Sequence, residues 1–318
     1  MSASFNAEEI LSATTHSVLE SGSINGQAGR IACELEDVNR GDWFIALPTD
    51  FYDPHNHLRI ALERGARGLI VEQNRAIMGT GNCPIISVPD TRAALLELVR
   101  DWLHLVRPAV VGVTGTSGRR ATMLLLNQLV RERYKTHLAF MRDLNWAGCA
   151  REVLTMPVDT QLLIFEAGSV ERGDIARIGK ILQPDLAVLT SIRHPIPSPE
   201  RDFLKANMYC ELLETLRSEP KQRLAAVIFD QSQAVQRRTD EVLTGFASKR
   251  FSRGEASIAH RIPEHSIATL NDALSELGIT ASRADFWCAV EAARALGIST
   301  AELETLFELE TINDVPAR

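Results

Sequence analysis

Between positions 41 and 73 the chain reads GDWFIALPTDFYDPHNHLRIALERGARGLIVEQ. An apolar run leads into a Pro/Asp turn, then a segment with apolar residues at helical spacing that ends at Gly65 or Gly68, then a second apolar run. That order predicts strand, helix, strand, a compact α/β unit. The stretch CPIISVPD adds a strand, and TRAALLELVRDWLHLVRP adds a helix that Pro108 stops before the apolar AVVGVTG. A domain boundary is therefore placed near Arg107 and Pro108, dividing the chain into 1–107 and 108–318. Beyond it the pattern predicts strand 109–114, helix 118 to about 133, strand 162–165, helix 172–182, strand 186–189, helix 202–217, strand 224–229 and helix 231–243. A helical pair, 283–296 and 299–308, closes the series. Strands separated by helices of this length need crossover connections, so the fold class is α/β with a mainly parallel sheet flanked by helices in the second half.

A length of 318 residues with 45% hydrophobic and 24% charged positions accommodates two domains with cores of their own. The formal net charge of -7 argues against a broad nucleic-acid surface, while one local basic spot can still hold a phosphate. Apolar runs fall short of the roughly 20 residues that a membrane span needs. The start, MSASFNAEEILSATT, lacks the basic head and apolar core of an export signal. The expected location is the cytoplasm, without a membrane partner. Cys33, Cys83, Cys149, Cys210 and Cys288 are odd in number, scattered and never spaced C-x-x-C, which fits reduced, inert thiols.

Chemistry concentrates in Gly112 to Thr122, GVTGTSGRRAT. A phosphate-binding loop of the form G-x-x-x-x-G-K-[ST] places Gly112 and Gly118 correctly, but Arg119 stands for the lysine and Arg120 for the Ser/Thr. Glycines between a buried strand and a helix aim backbone N–H groups at an anion, so Gly112, Thr114, Gly115, Thr116, Ser117, Gly118, Arg119 and Arg120 form a candidate nucleotide or phosphate loop. Arg119 supplies charge through a fork bulkier than an ammonium, and Arg120 has no lone pair to offer a cation. Thr122 carries a hydroxyl, but on another side of the helix. The loop alone leaves two readings open: a tight turn with solvated arginines, or an anion site without efficient magnesium-dependent hydrolysis.

Flanking segments add a resemblance. FEAGSVERGDIARIGKILQPDLAVLTSI resembles the E-[LM]-G-[AS]-x-x-x-G-E-I, R-P-D and T-N-I series of the Mur ligase family, through Glu166, Gly168, Ser169, Gly173, Asp174, Ile175, Pro184, Asp185, Thr190 and Ile192. The loop resembles that family's G-V-T-G-T-N-G-K-T-[ST], and GDWFIALPTDFYDPHNH resembles its N-terminal motif at Gly41, Asp42, Phe44, Ala46, Leu47, Asp53 and His55. AVEAARALGIS and the terminal VPAR are similar to a late helix and to the V-P-G-R before a third domain. Order and coverage identify the chain as similar to the branches that add D-alanyl-D-alanine or form the tripeptide. The resemblance implies a small N-terminal α/β domain of the UDP-sugar type at 1–107 and a P-loop-type central ATPase domain at 108–318. It also implies ATP and magnesium as the family's cofactors and an acyl-phosphate route to an amide.

Several positions depart from the family's pattern. The chain stops at Arg318, where the third domain would begin. The Ser/Thr and Arg that help hold the uridine diphosphate align with Leu35 and Glu36, within Glu34 to Val38. The place of the carbamylated lysine holds Tyr209 before Glu211, with Lys205 one turn out of step, and a His-Asn pair is replaced by Ala281 and Ser282. Glu166 and His194 are the ancestral metal positions. Glu166 is expected to pair with Arg119 or Arg120 in place of a metal, and SIRHPIPSPE makes His194 a loop histidine. Asp53 and His55 read equally as turn residues and as ancestral substrate contacts. The expected function is a non-catalytic homologue with a binding or scaffolding role, its open face covered by a second copy or another partner. The alternatives are an ATP-dependent acid–amino acid ligase completed by a separate subunit, and a phosphate or nucleotide sensor.

Overall fold

The computed structural model describes residues 2–23, 26–75, 81–141, 146–168, 171–192, 198–217, 225–229, 232–250 and 278–308, with isolated positions at 268, 272, 274 and 275. His194, Ser169 and the terminal VPAR lie outside the described residues. The chain forms two compact units: Met1–Arg107 with Ala150–Val158, and Pro108–Cys149 with Asp159–Arg318.

The first unit contains α1 (Ala7–Ala13), β1 (Val18–Ser21), β2 (Ile31–Ala32), β3 (Trp43–Ile45), α2 (Leu58–Glu63), β4 (Gly68–Glu72), β5 (Ile85–Val88) and α3 (Thr91–Val106). Its sheet runs β1-β5-β4-β3-β2, parallel except where β1 lies antiparallel to β5. The antiparallel edge has no counterpart in the sequence reading, because Val18–Ser21 alternates between half-buried and exposed and carries no apolar run. Asp90 starts α3 by accepting from the N–H groups of Arg92 and Ala93. Trp43 is buried and donates its indole N–H to the Phe5 carbonyl at 2.9 Å. The segment Ala150–Val158 packs here too: the Trp102 indole donates to the Met156 carbonyl, and Ala3 N–H donates to Leu154.

The second unit contains β6 (Ala109–Thr114), α4 (Arg119–Val130), β7 (Thr136–Ala139), the first turn of α5 (Trp146–Leu154), β8 (Leu162–Ala167), α6 (Asp174–Leu182) and β9 (Leu186–Leu189). It continues with α7 (Pro199–Cys210), β10 (Ala226–Ile228), α8 (Gln233–Val242), β11 (Ser248–Arg250), α9 (Arg283–Ala295) and α10 (Thr300–Glu308). The six strands run β11-β10-β9-β6-β8-β7, all parallel. This is the mainly parallel sheet the alternation predicts, with β7, α5 and β11 as additions. The helix expected over 202–217 instead begins at Pro199 and ends at Cys210, before a 3-10 turn at Leu213–Thr215. Proline suits the first helical turn, where no N–H partner is needed. Glu211, just past the end, is used elsewhere: its carboxylate accepts from Gly173 and Ala176 N–H and caps α6.

Central strands β6, β8 and β9 are buried on both faces, so they read as continuous apolar runs. α4 and α9 pack against each other in the core, with Leu125, Leu126, Leu129, Phe286, Val290 and Ala293 buried together. The five cysteines form no disulfide. Burial is the main reason the Cys33 thiol is pushed up to about 12 and the half-buried Cys83 to about 11.

Candidate functional site

β6 emerges from the middle of its sheet, and the chain must turn sharply from Thr114 to enter α4 at Arg119. Gly115 (φ +136°) and Gly118 (φ +80°) make that turn in conformations that L side chains rarely adopt. A Cβ at Gly115 would stand 2.2 Å from Thr190 Oγ1. Gly112 lies inside β6 itself, where a Cβ would come within 2.8 Å of Phe165 and 2.9 Å of Leu212, so its role is close packing.

The turn is strapped to neighbouring strands. Thr114 Oγ1 donates to the Ala167 carbonyl at the end of β8. Thr190 Oγ1, just past β9, lies 2.9 Å from the Thr114 carbonyl and 2.7 Å from the Ser117 carbonyl, able to donate to either. Thr116 donates its N–H and its hydroxyl to the Ser191 carbonyl, each at 3.0 Å. These bonds fix the loop's backbone without using a ligand. Of the strapping residues, Thr190 belongs to the sequence motif, and Ser191 was not singled out.

Glu166 lies one residue before the end of β8 and is 2% exposed. Arg119 Nε donates to its Oε1 at 3.0 Å and Arg120 Nε to its Oε2 at 3.1 Å, so it pairs with both arginines. Met141 N–H adds a third donor at 3.2 Å. Arg119 Nη1 also donates to the Gly115 carbonyl. Arg120 Nη2 donates to the Met141 carbonyl, with its guanidinium 5.9 Å from the Phe140 ring centroid. Both carboxylate oxygens are thus engaged by fixed cations.

Asp285 is a further member that the sequence reading missed. It is buried at the third position of α9, in a reciprocal cap with Ser282. A Cβ on Gly118 would stand 1.7 Å from Asp285 Oδ1, so this carboxylate rests against the first residue of α4's cap, where a helix end favours an anion. The signal for it was the Ser-x-x-Asp capping pattern at 282–285. Thr122 is buried toward the same helix, its hydroxyl 3.4 Å from the Asp285 carbonyl and turned from the loop. Two guanidinium groups and two carboxylates give a formal sum of zero at the loop. Beside them opens a cleft of about 420 Å³, lined by Thr116, Ser117, Arg119, Arg120, Glu166 and Thr280 among others.

A magnesium ion does not fit this donor set. It demands oxygen ligands in near-octahedral geometry. The position that would offer a hydroxyl offers the guanidinium of Arg120, and the carboxylate of Glu166 faces two cations already. Among the described residues, no group of three or more His, Cys, Asp or Glu is placed to hold a metal ion. Tyr209 is buried at the end of α7, and burial raises its phenol against the opposing charge of Arg119.

In the first unit the loops after β2, β3 and β4 leave one edge of the sheet, since these strands are parallel. Asp53 caps the 3-10 turn Pro54–His57 by accepting from His55 N–H. His55 Nδ1 is 2.6 Å from Asp53 Oδ1, and its Nε2 accepts from Glu72 N–H at 3.0 Å, which fixes the proton on Nδ1. Arg75 closes the group with ion pairs to Asp53 and Glu72. Burial opposes ionisation of Asp53, but the hydrogen bonds from His55 and the nearby charge of Arg75 outweigh it and hold the carboxyl below its ordinary range. Both ring nitrogens of His55 are engaged in holding the turn. Leu35 is buried, Glu36 is exposed, and Glu34 pairs with Arg151 at 2.5 Å.

A parallel sheet with a glycine loop between its central strand and the next helix defines the class: a P-loop-type α/β fold. Residues 113–195 match the Mur ligase middle domain. The chain is a Mur ligase homologue. It is 27% identical over 162 residues to the UDP-N-acetylmuramoyl-tripeptide–D-alanyl-D-alanine ligase of Bacillus subtilis, a match covering 51% of this chain and 35% of that enzyme. It is 33% identical over 104 residues to the UDP-N-acetylmuramoyl-L-alanyl-D-glutamate–2,6-diaminopimelate ligase of Aquifex aeolicus, covering 32% of this chain and 21% of the enzyme. Matches to such curated relatives thus span well under two thirds of their lengths. Crystal structure II of MurF from Acinetobacter baumannii shares the fold at a TM-score of 0.76 and 20% identity, over 96% of this chain and 68% of that one. MurF of Thermotoga maritima, solved in complex with ADP, gives a TM-score of 0.58 and 25% identity over 71% and 50% of the two chains. No helix among the described residues is long and apolar enough to cross a membrane.

Proposed function

We propose that this protein is a non-catalytic Mur ligase homologue, with a binding or scaffolding role resting on a loop that keeps the ancestral backbone and has replaced its chemistry. The observation carrying this reading is Glu166: a buried carboxylate with both oxygens held by Arg119 and Arg120. Amide formation through an acyl phosphate needs preorganised positive charge aimed at the phosphoryl oxygens as they develop charge. Here that charge is already spent on an internal carboxylate. Asp285 adds a second built-in anion at the α4 end, so an incoming polyphosphate meets a balanced site and not a cationic one. A partner chain or second copy would then be the protein's working ligand.

The test is turnover. With ATP, magnesium, UDP-N-acetylmuramoyl-tripeptide and D-alanyl-D-alanine, the full chain should release no more ADP than its Glu166→Gln variant. ADP release that depends on the tripeptide and is lost in that variant would support instead a divergent ligase.

A second reading draws on the open cleft of about 420 Å³ beside the half-exposed Arg120: an anion sensor that works without magnesium. Phosphate or ADP binding that ignores magnesium and weakens in Arg120→Ala would favour it.

A further inference from the structure

The first unit presents aromatic side chains at the C-terminal edge of its parallel strands, an edge where α/β sheets place their binding loops. Phe51 is 100% exposed, and Tyr52 is 42% exposed and stacked on His57 with ring centroids 5.5 Å apart and planes within 10°. Two rings stand together at one loop tip, the kind of place where binding residues concentrate.

The loops beside these rings carry more acids than bases, and Arg92 reaches in to donate to the Pro48 carbonyl. Glu34, Glu36 and Asp37 follow β2, while Asp50 and Asp53 follow β3. Arg151 pairs with Glu34, and Arg75 with Asp53. Arg64 donates to the backbone carbonyl of Glu36 and not to its carboxylate. The carboxylates of Glu36, Asp37 and Asp50 have no side-chain partner among the described residues. The charges of Glu36, Glu34 and Asp53 add to burial in raising the Tyr52 phenol. Exposed rings flanked by unpaired carboxylates suit a cation with a flat, weakly hydrated face, which is the chemistry of arginine.

We propose that Phe51, Tyr52 and His57, with Glu36 and Asp37, form a docking surface for an arginine-rich segment of a partner protein, with guanidinium groups lying on the rings and paired to the carboxylates. This surface is independent of the loop chemistry in the other unit.

The probe is a fluorescein-labelled peptide of sequence RGRRGR, titrated against the full chain by anisotropy at about 0.15 M salt, where long-range attraction is largely screened. Tyr52→Ala and Phe51→Ala should each weaken binding about two- to fivefold, while Tyr52→Phe keeps it. Glu36→Lys with Asp37→Lys should weaken it about tenfold or more. The same reversal at two exposed acids of the other unit, Glu132→Lys with Asp159→Lys, should change it less than twofold. All these side chains are exposed, and unchanged circular dichroism would show that the fold is kept. No binding by the native chain, equal losses from both reversals, or indifference to Tyr52→Ala and Phe51→Ala would each overturn the proposal.

Discussion

Two carboxylates in this chain, Glu166 near the end of β8 and Asp53 in the loop after β3, are tied to arginine, and they differ in depth. Glu166 is 2% exposed, between Arg119 at 16% and Arg120 at 48%. Asp53 has a side chain 26% exposed, and its partner Arg75 is 41% exposed. The first group sits at the turn between β6 and α4, and breaking it leaves charge in a poorly solvated place. The second props a turn, and water can replace either partner at little cost. Similar residue types thus form a buried cluster in one unit and a solvated turn brace in the other, because burial sets the strength of the pairing.

The largest test of that contrast is Glu166→Ala. Removing one side of a buried pair while leaving the other should cost about 3 kcal/mol, the low end for such pairs because Arg120 is half exposed. Urea unfolding would measure it. If depth is the reason, replacing Arg119 and Arg120 by Met in the same chain should recover a large part of the loss; an equal or larger loss in the triple variant would break the comparison.

Next in size is Gly118→Ala, expected to cost about 2 kcal/mol through its positive φ and the approach of Asp285. A thermal melt within a degree of the native chain would mean that Asp285 does not rest against the turn as described.

The smallest effect belongs to the shallow pair. Asp53 has a lowered pKa in the fold, so its contribution is present above the ordinary value of 3.8 and fades as pH falls through the folded value. Asp53→Asn should therefore lower stability near pH 7 by under about 1 kcal/mol and leave it unchanged in strong acid. A loss as large as that of Glu166→Ala, or one that persists in strong acid, would erase the distinction between the two groups.

Much of the second unit was legible because strands buried on both faces must be apolar throughout, as in AVVGVT and LAVL. Gly115 and Gly118 were legible for a similar reason, because the turn needs φ values that side chains resist, whereas Gly112 serves packing inside β6. Thr136–Ala139 was missed because its burial alternates at the sheet edge, and Val18–Ser21 for the same reason. That Glu166 would meet an arginine followed from the resemblance, which makes it a metal position left in need of another cation. That it meets two, and that Asp285 arrives from α9 some 120 residues away, depends on tertiary packing that no local pattern encodes. Glu211 was read only as the neighbour of Tyr209, whereas its work is to cap α6.

The most direct test is calorimetric titration of magnesium and ATP into the native chain and into the Arg119→Lys, Arg120→Thr double variant. Under the proposed function, the native chain, whose Arg119 and Arg120 hold Glu166, should show no magnesium-dependent binding, and the variant should gain it. Magnesium-dependent ATP binding by the native chain as tight as that of the variant would contradict the account.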